Sequence, residues 1–226
     1  MLTYSSVPGP LRQFSWERLP LQRGKAVFRE SDPAGHIYLL ESGLVKLSRN
    51  VDSHRKTIIR LVHPGEMIGD RSLGAGGRHR YTAEALSDGS VWRLSYLDFQ
   101  LGCDTTPAAI NWVAEQVEQR LADIERRMES ILYARVEVRI LSLLVELAET
   151  TIKAEGVPAE SVAIPLSQSE IAQLIGATRE TASTTLNQLE RRGLLRLSRR
   201  QIEVSSLDAL RSAVTPDGDR AAKAHA

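Results

Sequence analysis

The chain has 226 residues, 42% of them hydrophobic, enough to bury one large core or two smaller ones. A single cysteine, Cys103, excludes an internal disulfide, a cysteine-held iron–sulfur cluster and a cysteine-rich zinc site, and no apolar run reaches the roughly 18 residues that a membrane helix needs. The 29 basic and 28 acidic residues cancel to a net charge of +1, so any polyanion partner must be sought in the local distribution of charge.

The residues after Met1 lack the charged-then-apolar order of a signal peptide, and a soluble cytoplasmic protein is expected. The chain up to about Phe14 reads as a weakly ordered end. From Pro20 to Phe99 the turn signals Arg23-Gly24, Asp32-Pro33-Ala34-Gly35, Ser42-Gly43, His63-Pro64-Gly65, Gly74 to Gly77 and Asp88-Gly89 punctuate apolar or alternating runs. Those runs are His36 to Leu40, Leu44 to Leu47, Thr57 to Val62 and Ser90 to Leu94. Turns at roughly ten-residue spacing around such runs predict an antiparallel barrel or jelly roll.

After Pro107, a good first-turn residue, the period changes. Ile110, Val113, Val117, Leu121, Ile124, Met128 and Ile131 recur at helical spacing, and Glu115, Glu118, Arg120, Asp123, Glu125, Arg126, Arg127 and Glu129 flank them. One long helix with a single apolar stripe and wet sides is expected, longer than a small barrel needs for cover, so the stripe is assigned to homodimerisation.

The stripe loses register at Tyr133-Ala134-Arg135. A further helix follows with Val136, Ile140, Leu143, Leu144 and Leu147 on one face, fading near Thr150, then a loop from Lys153 to Ser161. A second domain therefore begins near Arg135. Ser167-Gln-Ser-Glu170 reads as a capping box, and the helix it opens ends at Gly176, whose lack of a side chain permits a left-handed turn.

Thr178 caps the next helix, which runs to about Arg192 with Ala182, Leu186 and Leu189 inward. Helix, short turn, helix is the geometry that inserts the second element into the DNA major groove. Its outward Arg179, Glu180, Ser183 and Thr184 are the side chains suited to base edges: arginine forks onto guanine, glutamate accepts from cytosine, and hydroxyls bond bases or phosphates. Ser167, Thr178 and Thr181 are assigned to the DNA backbone.

Gly193 ends that helix, and Leu194 to Leu197 and Gln201 to Val204 form a hairpin with Arg199 and Arg200 at its tip, placed to meet phosphates. The window from Arg179 to Arg200 carries Arg179, Arg191, Arg192, Arg196, Arg199 and Arg200 against Glu180 and Glu190, an electrostatic footprint for a polyanion.

This order of elements resembles the CRP/FNR family of bacterial transcription regulators over about residues 17 to 207. Leu166 to Thr181 and Pro33 to Leu47, with its glycine turn before Val45-Lys-Leu47, carry the likeness. The resemblance implies an α+β chain: an N-terminal jelly-roll β-barrel sensor (1–106), a dimerisation helix and hinge (107–134), a winged helix-turn-helix domain (135–212) and a weakly ordered tail (213–226). It also implies a homodimer on a two-fold symmetric double-stranded DNA site, contact with RNA polymerase, no membrane and no enzymatic activity. Family members touch bases from the positions of Arg179, Glu180 and Thr184; the CRP pattern has a second arginine where this chain has Thr184, and Ser183 is closer to FNR.

Cyclic-nucleotide binders in the family hold ribose and phosphate with Gly-Glu and a later Arg-Ser or Arg-Thr. Gly69-Asp70 and Arg80-Tyr81 stand in those places: Asp70 is one methylene short, Tyr81 is bulky, and Ile124 and Glu125 stand where the adenine would be capped. Arg78 and Arg80 pair with Asp70, meet a different anion or lie on the surface. Gly69, Asp70, Arg78, Arg80, Tyr81 and Ile124 are the candidate effector pocket; cyclic AMP is disfavoured as its ligand, and a regulator with another effector or none is expected.

A cyclic-AMP-dependent regulator is the alternative, and a cupin-type metal enzyme a remote one, since His36, His54, His63 and His79 are scattered and no His-x-His occurs. No histidine sits in a context that marks a haem sensor. The barrel is expected to act through the hinge at Tyr133 to Arg135, on the spacing of the two recognition helices.

Overall fold

The computed structural model describes residues 6–51, 56–69, 77–156 and 161–214. The chain divides into two compact units, Met1–Glu125 and Arg126–Ala226. In the first, strands β1 (Glu17–Leu21), β2 (Ala26–Phe28), β3 (His36–Ser42), β4 (Val45–Asn50), β5 (Lys56–Val62), β6 (Met67–Ile68), β7 (Thr82–Ala85) and β8 (Gly89–Ser95) form two antiparallel four-stranded sheets, ordered β1-β8-β3-β6 and β2-β7-β4-β5. The jelly roll read from the turn signals is the fold observed.

Alternation sets the two faces of the first sheet. Along β3, Tyr38 and Leu40 turn to an interior cluster with Phe28, Val45, Leu47, Val62, Ala83 and Val91, whereas Ile37 and Leu39 turn outward. That outer face is not left wet. Val7, Leu11, Phe14 and Trp16 lie buried against it with Trp92, Leu94 and Phe99. The expectation of a weakly ordered N-terminal end is therefore wrong for residues 6–14: Val7, Leu11 and Phe14 find a ready apolar face, which offsets the entropy of ordering the segment. Where the end of β3 meets the start of β8, a Cβ on Gly89 would stand 2.2 Å from the Ser42 carbonyl oxygen, so only glycine allows the strands this approach.

Helix α1 (Tyr96–Cys103), capped by Ser95, precedes α2 (Pro107–Tyr133). Cys103 ends α1 half-buried against the outer cluster, and burial raises its thiol pKa, as befits a packing residue. The start of α2 packs on the same cluster through Ala109, Trp112 and Val113, and Arg120, placed on the solvated flank by sequence, is buried and donates to the Met67 carbonyl.

The second unit continues from the end of α2 with α3 (Val136–Glu155), β9 (Val162–Ile164), α4 (Gln168–Ile175), α5 (Arg179–Arg191), β10 (Leu195–Ser198), β11 (Gln201–Val204) and α6 (Leu207–Val214). The wing is a three-stranded antiparallel sheet, β10-β11-β9, rather than the two-stranded hairpin expected. β9 pairs Val162 with Val204 and Ile164 with Ile202, burying all four side chains; its three residues are too short a run to announce a strand. α6 runs through Val214, so a tail beginning at 213 starts too early by two residues; residues 215–226 lie outside the described ones.

Two arginines serve the end of α4. Arg139 Nη1 donates to the Ile175 carbonyl at 2.7 Å, which the helix itself leaves open, and Arg127 Nη2 donates at 3.4 Å to that of Gln173, which also accepts from the Gly176 N–H.

Candidate nucleic-acid interface

The helix pair is set by its caps. Ser167 and Glu170 form a complete capping box: Ser167 Oγ accepts from the Glu170 N–H at 3.3 Å, and the Ser167 N–H donates to Glu170 Oε2 at 2.9 Å. Gly176 follows with φ 64°, and the Thr178 hydroxyl accepts from the Thr181 N–H at 3.2 Å to open α5. Within α5, Ala182, Leu186 and Leu189 are fully buried. The opposite side therefore faces water with Arg179, Glu180 and Thr184, whose side chains make no hydrogen bond or ion pair among the described residues.

Two residues assigned to DNA by sequence are already engaged within the protein. The Ser167 hydroxyl and N–H both donate to the Glu170 carboxylate, which leaves no donor for a phosphate. Ser183 is half-buried and donates its hydroxyl to Gln168 Oε1 at 2.7 Å, so it does not stand in the outward row with Thr184. Thr178 and Thr181 are both exposed, with their hydroxyls 2.9 Å apart.

Arg199 and Arg200 form the two-residue turn of the wing and are exposed. The wing is fastened to α5 by Glu190, whose Oε1 accepts the Leu197 N–H at 2.7 Å. In the sequence Glu190 reads only as an acidic offset to the arginines; its structural task has no local signature, because Glu190 and Leu197 meet only once the hairpin folds back.

Along α2, Ile110, Val117, Leu121, Ile124, Met128 and Ile131 are exposed, with Leu121 at 55%. Val113, assigned to the same stripe, is the exception: it turns toward the barrel and packs on the outer cluster. An apolar row of this length on one helix marks an interaction surface.

The candidate effector residues are dispersed in character. Gly69 is buried at φ 92°, with the His36 carbonyl oxygen 2.9 Å from where a Cβ would stand. Arg78 and Arg80 are exposed, and Arg78 Nη1 donates to the Ser31 carbonyl at 2.7 Å. Tyr81 is half-buried against the interior cluster of the barrel, the one that holds Phe28 and Tyr38. Asp70, the turn glycines Gly74 and Gly76, and His54 lie outside the described residues. Among the described residues no cluster of metal-ligating side chains occurs and no helix is long and apolar enough to cross a membrane.

Two family models match the chain, a cyclic nucleotide-binding domain over residues 18–105 and a Crp-like helix-turn-helix domain over residues 138–213. The CRP-like cAMP-activated global transcriptional regulator of Mycobacterium tuberculosis is 27% identical over 188 residues, 83% of this chain and 84% of that one. The global nitrogen regulator of Synechococcus elongatus is 28% identical over 209 residues, 88% of this chain and 92% of that one. The crystal structure of a CRP/FNR family regulator from Thermus thermophilus superimposes with a TM-score of 0.72 at 25% identity, covering 89% of this chain and 100% of that one.

The chain belongs to the CRP/FNR family.

This CRP/FNR regulator buries a titratable group in its N-terminal barrel. His79 stacks on Phe28 with ring centroids 3.8 Å apart and planes at 12°, and burial holds its imidazole pKa below the ordinary value despite the Asp32 carboxylate nearby. His63 is lowered in the same way, by burial first. The two imidazoles thus resist protonation in the folded chain where those of the unfolded chain take up protons, below about pH 6.5. Stability is full above that pH and is lost as the pH falls through the window toward the folded values. The urea midpoint is expected to be lower at about pH 5.5 than at about pH 7.5, with the difference reduced in His79→Gln, which cannot titrate. An unchanged pH dependence in that variant removes His79 from the account.

Proposed function

We propose that this CRP/FNR regulator acts as a homodimer on a two-fold symmetric double-stranded DNA site, with α5 of each protomer in the major groove. The observation that carries the reading is the exposed, uncommitted row Arg179, Glu180 and Thr184 on a helix anchored by Ala182, Leu186 and Leu189. Arginine and glutamate one residue apart at a helix N-terminus suit a guanine and a cytosine N4 amine, and a C·G pair is assigned to Glu180. Thr178, Thr181, Arg199 and Arg200 supply phosphate contacts, which add affinity without sequence information.

In this reading residues 1–106 are a sensor barrel, 107–134 a dimerisation helix and hinge, and 135–214 the DNA-binding domain. Ile110, Val117, Leu121, Ile124, Met128 and Ile131 form the dimer seam. RNA polymerase is the second macromolecular partner, the protein works in the cytoplasm, and it catalyses no reaction. Regulation proceeds with an effector other than cyclic AMP or with none: Tyr81 adds bulk to the interior cluster, and Arg78 and Arg80 are exposed, with Arg78 turned to a carbonyl of its own chain.

The cyclic-nucleotide reading has one specific support, the match of residues 18–105 to a cyclic nucleotide-binding domain. Binding to a selected palindromic DNA pool at fixed salt, with and without cyclic AMP, separates the two. Affinity on the order of 10 nM or tighter, unchanged by the nucleotide, is expected. Binding that appears only with cyclic AMP makes Asp70, Arg80 and Tyr81 a nucleotide pocket instead.

A further inference from the structure

Ser183 and Gln168 face each other across the helix pair. Ser183 lies one position before Thr184 on α5, yet it is half-buried on the side toward α4 while Thr184 is exposed. Its hydroxyl has a single donor, and that donor is given to Gln168 Oε1 at 2.7 Å. Gln168 opens α4, is also half-buried, and is held at its carbonyl oxygen only; among the described residues its Nε2 donors meet no acceptor. A side-chain amide fixed at one end presents its two remaining N–H groups in a set direction, whereas a free glutamine must lose its rotamer freedom on binding.

We infer that Ser183 is a positioning residue and that Gln168, not Ser183, meets the DNA, its Nε2 amide donating to a phosphate oxygen. In a helix-turn-helix the first helix crosses the phosphate backbone while the second enters the groove, so an amide at the start of α4 meets phosphate rather than a base edge. The hydroxyl on α5 thereby ties the reading helix to a backbone contact on its neighbour, which sets the depth and register at which Arg179 and Glu180 approach the bases. The inference rests on the reading of α5 as the groove-entering helix, and its test is arranged so that the two fail differently.

The experiment measures binding of the full chain to its selected DNA site for Ser183→Ala, Ser183→Thr, Gln168→Ala, Gln168→Glu and the double alanine variant, with Glu180→Ala as reference. Loss of one such contact per protomer weakens binding by roughly tenfold. Ser183→Ala and Gln168→Ala are each expected to lose about that much evenly across base-substituted sites, and the double variant no more than Gln168→Ala, because both remove one contact. Ser183→Thr keeps the hydroxyl and is expected to retain affinity. Gln168→Glu still accepts from Ser183 but has lost the donors and gained a charge that phosphate repels, so it is expected to bind at least as weakly as Gln168→Ala. Because the amide is neutral, the salt dependence of binding stays the same in Gln168→Ala, unlike the shallower slope that loss of an arginine–phosphate contact produces.

Wild-type affinity in Gln168→Glu overturns the inference, as does an additive double variant in which Ser183→Ala changes preference at one base position. In either case Glu180→Ala still loses its base discrimination if α5 reads DNA. Normal binding and discrimination in Glu180→Ala instead overturns the reading of α5, and the inference with it.

Discussion

Leu121→Glu is expected to leave the chain monomeric and to lower its affinity for a two-fold DNA site by at least about 100-fold. Leu121 sits mid-stripe on α2 and is 55% exposed in the single chain, so the substitution removes no contact that the folded protomer depends on. In a dimer seam the same position is enclosed. Burying a leucine there contributes roughly 1.5–3 kcal/mol per copy, and two facing carboxylates in its place must each shed water, at a cost of several kcal/mol. A two-fold interface uses the residue twice, so one change per chain is felt as two.

DNA affinity follows the dimer. A dimer binds its second half-site as an intramolecular event, and a monomer loses that gain entirely. Sedimentation equilibrium gives the mass and thermal unfolding shows that the protomer remains folded. Glu118→Lys, on the wet flank, is the control and keeps the dimer. A Leu121→Glu protein that still sediments as a dimer shows that the seam lies elsewhere.

The second large effect falls on the α5 row. Arg179→Ala or Glu180→Ala is expected to cost about 1–3 kcal/mol per half-site, so the dimer loses on the order of 30- to 10,000-fold on its selected site. Both side chains are exposed and uncommitted within the protein, so neither change should lower stability by more than about 0.5 kcal/mol. The variants differ in selectivity. Without Glu180 the protein no longer discriminates a C·G pair at one position, and without its charge it binds non-specific DNA somewhat better, because a carboxylate near phosphates is repelled. Arg179→Ala loses discrimination at the guanine it forks onto and, because a cation is removed, also weakens non-specific binding and flattens the salt dependence. Titration against single-base variants of the site at two salt concentrations separates the patterns; wild-type affinity and wild-type discrimination among the sites in both variants would remove α5 from base recognition.

Much of this architecture is written locally. The Ser167–Glu170 capping box, the left-handed Gly176, the Thr178 cap and the period of Ala182, Leu186 and Leu189 specify the helix pair through interactions between residues a turn or so apart. The turns at Gly24, Gly43 and Gly65, each with positive φ, mark the barrel strands for the same reason. The apolar repeat on α2 likewise made a continuous helix from Pro107 to Tyr133 legible.

Other features lie between residues far apart in the chain. Nothing near Val7 or Leu11 announces that a sheet face will cover them, and nothing near Val113 or Arg120 tells which flank of α2 meets the barrel. β9 is a strand because β11 offers it an edge, and the end of α4 is capped by Arg139 from the separate helix α3. Ser183 illustrates the division most sharply. Its place on a polar face was readable, but its hydroxyl had several donors and acceptors within chemical reach, and only packing of α5 on α4 selected Gln168. Periodicity and capping are near-neighbour physics and survive in the bare sequence; the choice among polar partners is made by distance in space, which only the packed chain defines.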